Sequence, residues 1–208
     1  LNIEAEAISA DACIRLGISG NNNTRYTHNV AVEDCTFNVP GAVAVKSYTG
    51  GDKNLSIKGC TATGLHSLLQ VKNIEGITID GVNITAGRGA SFGASSDVVV
   101  KNSTFVADSY GLRADASGEA TLAIENVNIT AYQPVIARYA TGNYTIKFSG
   151  DNNVLNGAVY QVIVTNGSDD KEYTLPTGTY NIIGADNFLV YPSDADFTAY
   201  AGTADEFT

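Results

Sequence analysis

The chain has 208 residues, 44% of them hydrophobic, and carries a formal net charge of −10. That charge argues against nucleic-acid backbones and anionic lipid surfaces as partners, and no apolar run approaches the ~18 residues that a membrane-spanning helix needs. What remains is enough apolar material for one continuous core, read as a single domain over 1–208: an irregular first coil (1–29), regular coils (30–148), then a last coil and C-terminal cap (149–208).

The opening stretch is the least regular. It starts at Leu1 with no initiator methionine, so a removed leader or preceding segment is expected, and no targeting signal is legible. From Val30 onward a pattern recurs. Copies begin at Val30 (VAVEDCTFN), Leu55 (LSIKGCTAT), Ile77 (ITIDGVNIT), Val98 (VVVKNSTFV), Leu122 (LAIENVNIT) and Tyr144 (YTIKFSGDN), spaced by 25, 22, 21, 24 and 22 residues. A period of this size marks a solenoid, whose units bury their apolar faces only by stacking. Leu1, Ile3 and Glu4 fit the first, third and fourth positions of an opening copy, and 14–16 fit its third strand.

Within each copy the first and third positions are apolar, a period of two that belongs to a strand with one buried face. The fourth reads Glu33, Lys58, Asp80, Lys101, Glu125, Lys147, alternating in sign. On parallel strands about 4.8 Å apart, each such exposed pair is worth ~0.2–1 kcal/mol. The fifth position is Asp34, Gly59, Gly81, Asn102 or Asn126, types that tolerate positive φ, so the chain turns there. Alternation then resumes with positions six, eight and ten inward: Cys35, Phe37, Val39; Cys60, Ala62, Gly64; Val82, Ile84, Ala86; Ser103, Phe105, Ala107; Val127, Ile129, Ala131. A third strand follows around 43–46, 69–72, 111–114 and 135–138.

Three short strands in a coil of about 22 residues, over roughly 30–148, resemble the right-handed parallel β-helix of the pectin lyase-like superfamily. The resemblance implies an all-β fold of about six to seven coils, closed by a C-terminal cap. Beyond Tyr144 the repeat dissolves: SGDNN, TNGSDD and LPTGTYN punctuate strand-like runs at 159–164, 180–183 and 188–191, as a cap over the last rung requires. The final PSDADFTAYAGTADEFT reads as a strand over the end or as a linker.

Cys35 and Cys60 share an inward position in adjacent coils. A disulfide between in-register parallel strands is geometrically awkward, so they read as core residues. No Cys/His spacing suggests a metal, and no cofactor motif is present. Glycosidases of the superfamily carry Asn-Thr-Asp, Asp-Asp, Gly-His-Gly and Arg-x-Lys elements, because hydrolysis needs an acid and a base flanking the sugar bond. None stands in register here: Asp169-Asp170 falls in a turn of the cap, and His28 and His66 adjoin no glycine pair and read as turn or surface residues. Pectate lyases gather carboxylates for calcium beside a basic residue, whereas Asp80 stands between Lys58 and Lys101. No catalytic residue is assigned.

Two surfaces are candidates for binding. Arg15, Lys46, Lys72, Arg113 and Arg138 fall in outward third-strand positions as a basic stripe suited to an anionic poly- or oligosaccharide, with Tyr48, Tyr110 and Tyr139 as stacking platforms. The plainer reading is solvated charges paired with Asp108 and Asp115. The outward row of the second strand (Thr36 and Asn38, Thr61 and Thr63, Asn83 and Thr85, Thr104 and Val106, Asn128 and Thr130) resembles the threonine arrays of ice-binding solenoids, or is a set of good strand formers on a wet face. Its phasing also creates sequons at Asn83, Asn102 and Asn128. The expectation is a secreted or cell-surface bacterial scaffold or binding module, for adhesion or glycan recognition without catalysis. The rival is a polysaccharide lyase or glycoside hydrolase built on Arg113 and Arg138 near Asp108 and Asp115.

Overall fold

Strands whose alternate side chains are apolar stack parallel, coil on coil, into a β-solenoid of about five turns. The computed structural model describes residues 2–4, 11–17, 26–47, 51–116, 120–139, 144–150, 152–157, 162–166, 181–183, 188–189 and 200–201. Strands are numbered in chain order. A ten-stranded sheet holds β1 (Asn2–Glu4), β2 (Ala12–Leu16), β4 (Thr36–Asn38), β5 (Val43–Ser47), β7 (Thr61–Lys72), β9 (Asn83–Gly93), β11 (Thr104–Ala116), β13 (Asn128–Tyr139), β15 (Val154–Gly157) and β16 (Val162–Asn166). A seven-stranded sheet holds β3 (His28–Glu33), β6 (Lys53–Lys58), β8 (Glu75–Asp80), β10 (Ser96–Lys101), β12 (Ala120–Glu125), β14 (Tyr144–Ser149) and β17 (Asn181–Ile183). The pair β18 (Phe188–Leu189) and β19 (Tyr200–Ala201) is antiparallel. No helix long and apolar enough to cross a membrane occurs among the described residues.

Side-chain columns run along the axis as the repeat predicts. Val30, Leu55, Ile77, Val98 and Leu122 pair in series, as do Val32, Ile57, Ile79, Val100 and Ile124. All but the half-covered Val30 are buried. In the other sheet Phe37, Ala62, Ile84, Phe105, Ile129 and Leu155 form one column, large beside small, which is how unequal side chains fill a shared interior at solid-like density.

The corner between the sheets rests on two devices. Asp34, Gly59, Gly81, Asn102 and Asn126 all have φ between 49° and 64°. After this left-handed residue the sixth position points inward and caps the turn. Ser103 Oγ donates to the Lys101 carbonyl at 2.6 Å, the thiols of Cys35 and Cys60 donate to the carbonyls of Glu33 and Lys58, and Asn153 Nδ2 donates to the Ser149 carbonyl at 2.7 Å. Where valine stands instead, its amide is met from the next coil, Val82 N by Ser103 Oγ at 3.2 Å and Val127 N by Asn153 Oδ1 at 3.0 Å. The cysteines are free, and burial pushes the Cys60 thiol up from its ordinary pKa.

Five expectations are corrected, the coil count among them. Residues 2–4 pair with 36–38, placing Ile3 beside Phe37 and Glu4 beside Asn38, so they continue the second-strand columns and not the first. Leu1 lies outside the described residues. The copy at Tyr144 sits two residues off: Ile146 pairs Leu122, Phe148 pairs Ile124, and Ser149, not Lys147, stands beside Glu125. Gly150, at φ 82°, then takes the left-handed position. Gly64 is no core residue. It is an exposed bulge at φ 71°, and Leu65, 2% exposed, pairs Ala86 in its place. Finally, the second and third predicted strands run on as single strands in β7, β9, β11 and β13, bent where the register slips, between Thr63 and Leu65 and between Ala107 and Tyr110. The coil count falls because the first coil lends no described strand to the seven-stranded sheet, while antiparallel β17 ends the ladder on β14. Of the predicted final segment only Tyr200–Ala201 is described, paired antiparallel with Phe188–Leu189, and Asp169-Asp170 lies outside the described residues.

The alternating charges occupy one column from Glu33 through Glu125. Within it Lys101 Nζ approaches Asp80 Oδ2 to 3.6 Å, and Asn102 Nδ2 donates to Asp80 Oδ1 at 3.0 Å. A second left-handed column, Asn29, Asn54, Gly76 and Asp97, precedes the first four apolar runs, with Asn54 Nδ2 donating to Asn29 Oδ1 at 2.8 Å. The signal was present in the Asn-Val, Asn-Leu, Gly-Ile and Asp-Val steps.

Candidate functional site

Pairing divides the predicted basic stripe between two columns. Arg15 pairs Lys46, but Lys46 then pairs Gln70, Gln70 pairs Ser91, Ser91 pairs Arg113 and Arg113 pairs Ile136. Arg113 is therefore three strands from Lys46, roughly 14 Å at the usual interstrand spacing. Lys72 and Arg138 share the column two residues on, separated by Gly93 and Asp115. Lys46 is held by Asp11, Nζ to Oδ1 at 2.6 Å. Asp115 pairs Arg138 in the strand register, which sets side by side two of the residues named for the lyase or hydrolase reading. The side chains of Asp115, Arg138 and Tyr139, and the whole of Tyr48, lie outside the described residues.

The structure brings together a different set at the bend. Arg88 on β9 is exposed, with Nη1 3.3 Å from His66 Nε2 on β7 and the guanidinium 5.7 Å from the Tyr110 ring centroid on β11. That ring distance is within cation–π range. A guanidinium only donates, so Nε2 accepts and His66 carries its proton on Nδ1. Among the described residues no carboxylate stands within ion-pair distance of Arg88. Tyr110, predicted as a stacking platform, is buried with Ile136 in a small cluster of its own, whereas Tyr132 on β13 is exposed at 53%, as is Tyr26.

The chain matches no family model, no curated protein and no solved structure.

The sequence pattern marks His66 as a turn or surface residue and gives Arg88 no distinction. Their meeting depends on how two strands register through a bulge, which neither segment carries by itself. Burial, then Arg88, then Lys46, lowers the His66 pKa below the ordinary histidine value. The unfolded chain, near ~6.5, therefore binds more protons than the folded chain at mildly acidic pH. This contribution to stability is present above about pH 6.5 and is lost as the pH falls below it. His66→Gln is expected to flatten that part of the profile, read as the urea midpoint between about pH 7.5 and 5.5.

Beside the bend lies a flat face. Thr36, Thr61, Asn83, Thr104, Asn128 and Val154 form one column, and Asn38, Thr63, Thr85, Val106, Thr130 and Asn156 the next. All are exposed or, for Thr104, half-buried, with Val106 and Val154 at 44% and 45%. Thr61 Oγ1 donates to Thr36 Oγ1 at 3.2 Å. Asp52, also not singled out, is a buried carboxylate at 2% exposure, accepting from Thr27 N at 2.6 Å and Ser47 Oγ at 2.7 Å. Those bonds make it a corner staple. Among the described residues no three His, Cys, Asp or Glu side chains converge as a metal site would require.

Proposed function

We propose that this chain is a secreted or cell-surface β-helix binding module of the pectin lyase-like kind, recognising glycans in adhesion or as a scaffold without turning them over. The flat in-register face of the ten-stranded sheet carries the reading. Its hydroxyls and amides both donate and accept, as sugar hydroxyls do. They sit on short side chains fixed to a rigid sheet, so little rotamer entropy is lost on binding. A regular array suits a ligand that repeats along the rod.

A glycan array combined with turnover assays on uronic-acid polymers tests this. Binding without new unsaturated or reducing ends is expected, and Thr85→Lys with Thr130→Lys should weaken it at least tenfold while leaving the melting temperature within a few degrees, as exposed sites do. New chain ends would overturn the binding-only reading in favour of a lyase or hydrolase built on Arg113 and Arg138 near Asp108 and Asp115. Neither binding nor turnover would leave a structural spacer.

A further inference from the structure

Arg88 and Lys46 stand on either side of His66 in a basic corner at the rim of the flat face. Arg88 and His66 each follow by three residues a threonine of that face, Thr85 and Thr63, so a ligand lying on the array ends over the bend. Resting on the glycan reading, we propose that Arg88 and His66 form a proton-coupled site for an oxyanion, the carboxylate or sulfate group of an acidic glycan.

The geometry supplies the reasons. A guanidinium carries five N–H donors in a planar fork, and the described contacts of Arg88 are one nitrogen to His66 and its face to Tyr110. The remaining donors are at an exposed position. His66 is packed between β5 and β9: Lys46 faces it from one side with Asp11 beyond, and Arg88 faces it from the other with Tyr110 beyond. Among the described residues its nearest charged neighbours are thus cations, and they favour the neutral imidazole. An anion arriving on Arg88 reverses the local field. His66 then takes up a proton on Nε2, exchanges its bond from Arg88 for one to the anion, and becomes a second charged donor to it. Binding and protonation are linked, so each strengthens the other.

The test follows the His66 ring signals by NMR through a pH titration of the intact chain, which has only His28 besides. The probes are a glucuronate-containing oligosaccharide, a sulfated one, a neutral one of equal length and inorganic sulfate. An acidic probe is expected to raise the His66 pKa by about one unit and therefore to bind several-fold more tightly at pH 5.5 than at 7.5, with about tenfold as the ceiling that one unit sets; Arg88→Gln should abolish both effects, and the neutral probe should show neither. Whichever acidic oligosaccharide does this identifies the group. If neutral and acidic glycans bind alike and His66 does not move, the oxyanion site is overturned while the glycan reading stands. If no glycan binds but sulfate raises the His66 pKa through Arg88, the glycan reading falls and the oxyanion site stands. A His66 pKa unmoved by every anion overturns the site without recourse to a variant.

Discussion

Gly89→Val is expected to leave little folded protein, with a loss of roughly 4 kcal/mol or more where any can be recovered. A Cβ built on Gly89 falls inside the van der Waals envelope of the Gly111 carbonyl oxygen on the next coil, and its next nearest neighbours are Gly111 backbone atoms too. Backbone fixed in a ladder cannot rotate aside as a side chain would. The two strands must separate at the bend or lose the bonds that set their register on either side, Ala86 to Ala107 and Ala90 to Leu112. Gly41→Ala is the control: its Cβ would meet nothing within 4 Å, so only its φ of 77° is penalised, at about 1 kcal/mol. Expression yield and thermal melts of both variants measure the difference. Equal melts for the two would show that the bend is not held by close backbone approach.

Phe105→Ala is the second large effect, expected at about 3–5 kcal/mol. Phe105 is fully buried in its column between Ile84 and Ile129, which are fully buried themselves. Those neighbours are fixed by their own strands and fill the void only in part, so the cavity term adds to the lost transfer energy. In a solenoid each coil leans on the two beside it, so the damage should be local. Hydrogen exchange is the measurement: amides of β9, β11 and β13 should lose protection while those of β4 lose less. A uniform loss along the rod would mean that the coils unfold as one unit.

The proposed binding function turns on side chains the repeat does not specify. Arg88 stands in none of the aligned positions, and His66 follows the bulge that displaces Leu65 into the core. Alternation sorts residues into inward and outward, but it does not say which outward residue of one coil lies against which of the next. The same limit explains the stripe: Arg15 and Lys46 do pair, yet Gln70 and Ser91 intervene before Arg113. The missed Asp52 is of another kind, since nothing in a Gly-Asp-Lys step distinguishes a buried acceptor from a solvated turn.

What the amino-acid order determined alone was the face of each strand and the place of each corner. Apolar residues two apart must share a side, and Asp, Asn or Gly after them accepts the left-handed φ that a sharp turn needs. What only the tertiary structure decided was register. Sliding YTIKFS by two leaves every side chain on the same face, so Tyr144, Ile146 and Phe148 satisfy the pattern in either setting, and NIE fits more than one column for the same reason. The choice is made by backbone hydrogen bonds to the neighbouring coil and by the shape of the interior it offers, and neither exists until the coils stack.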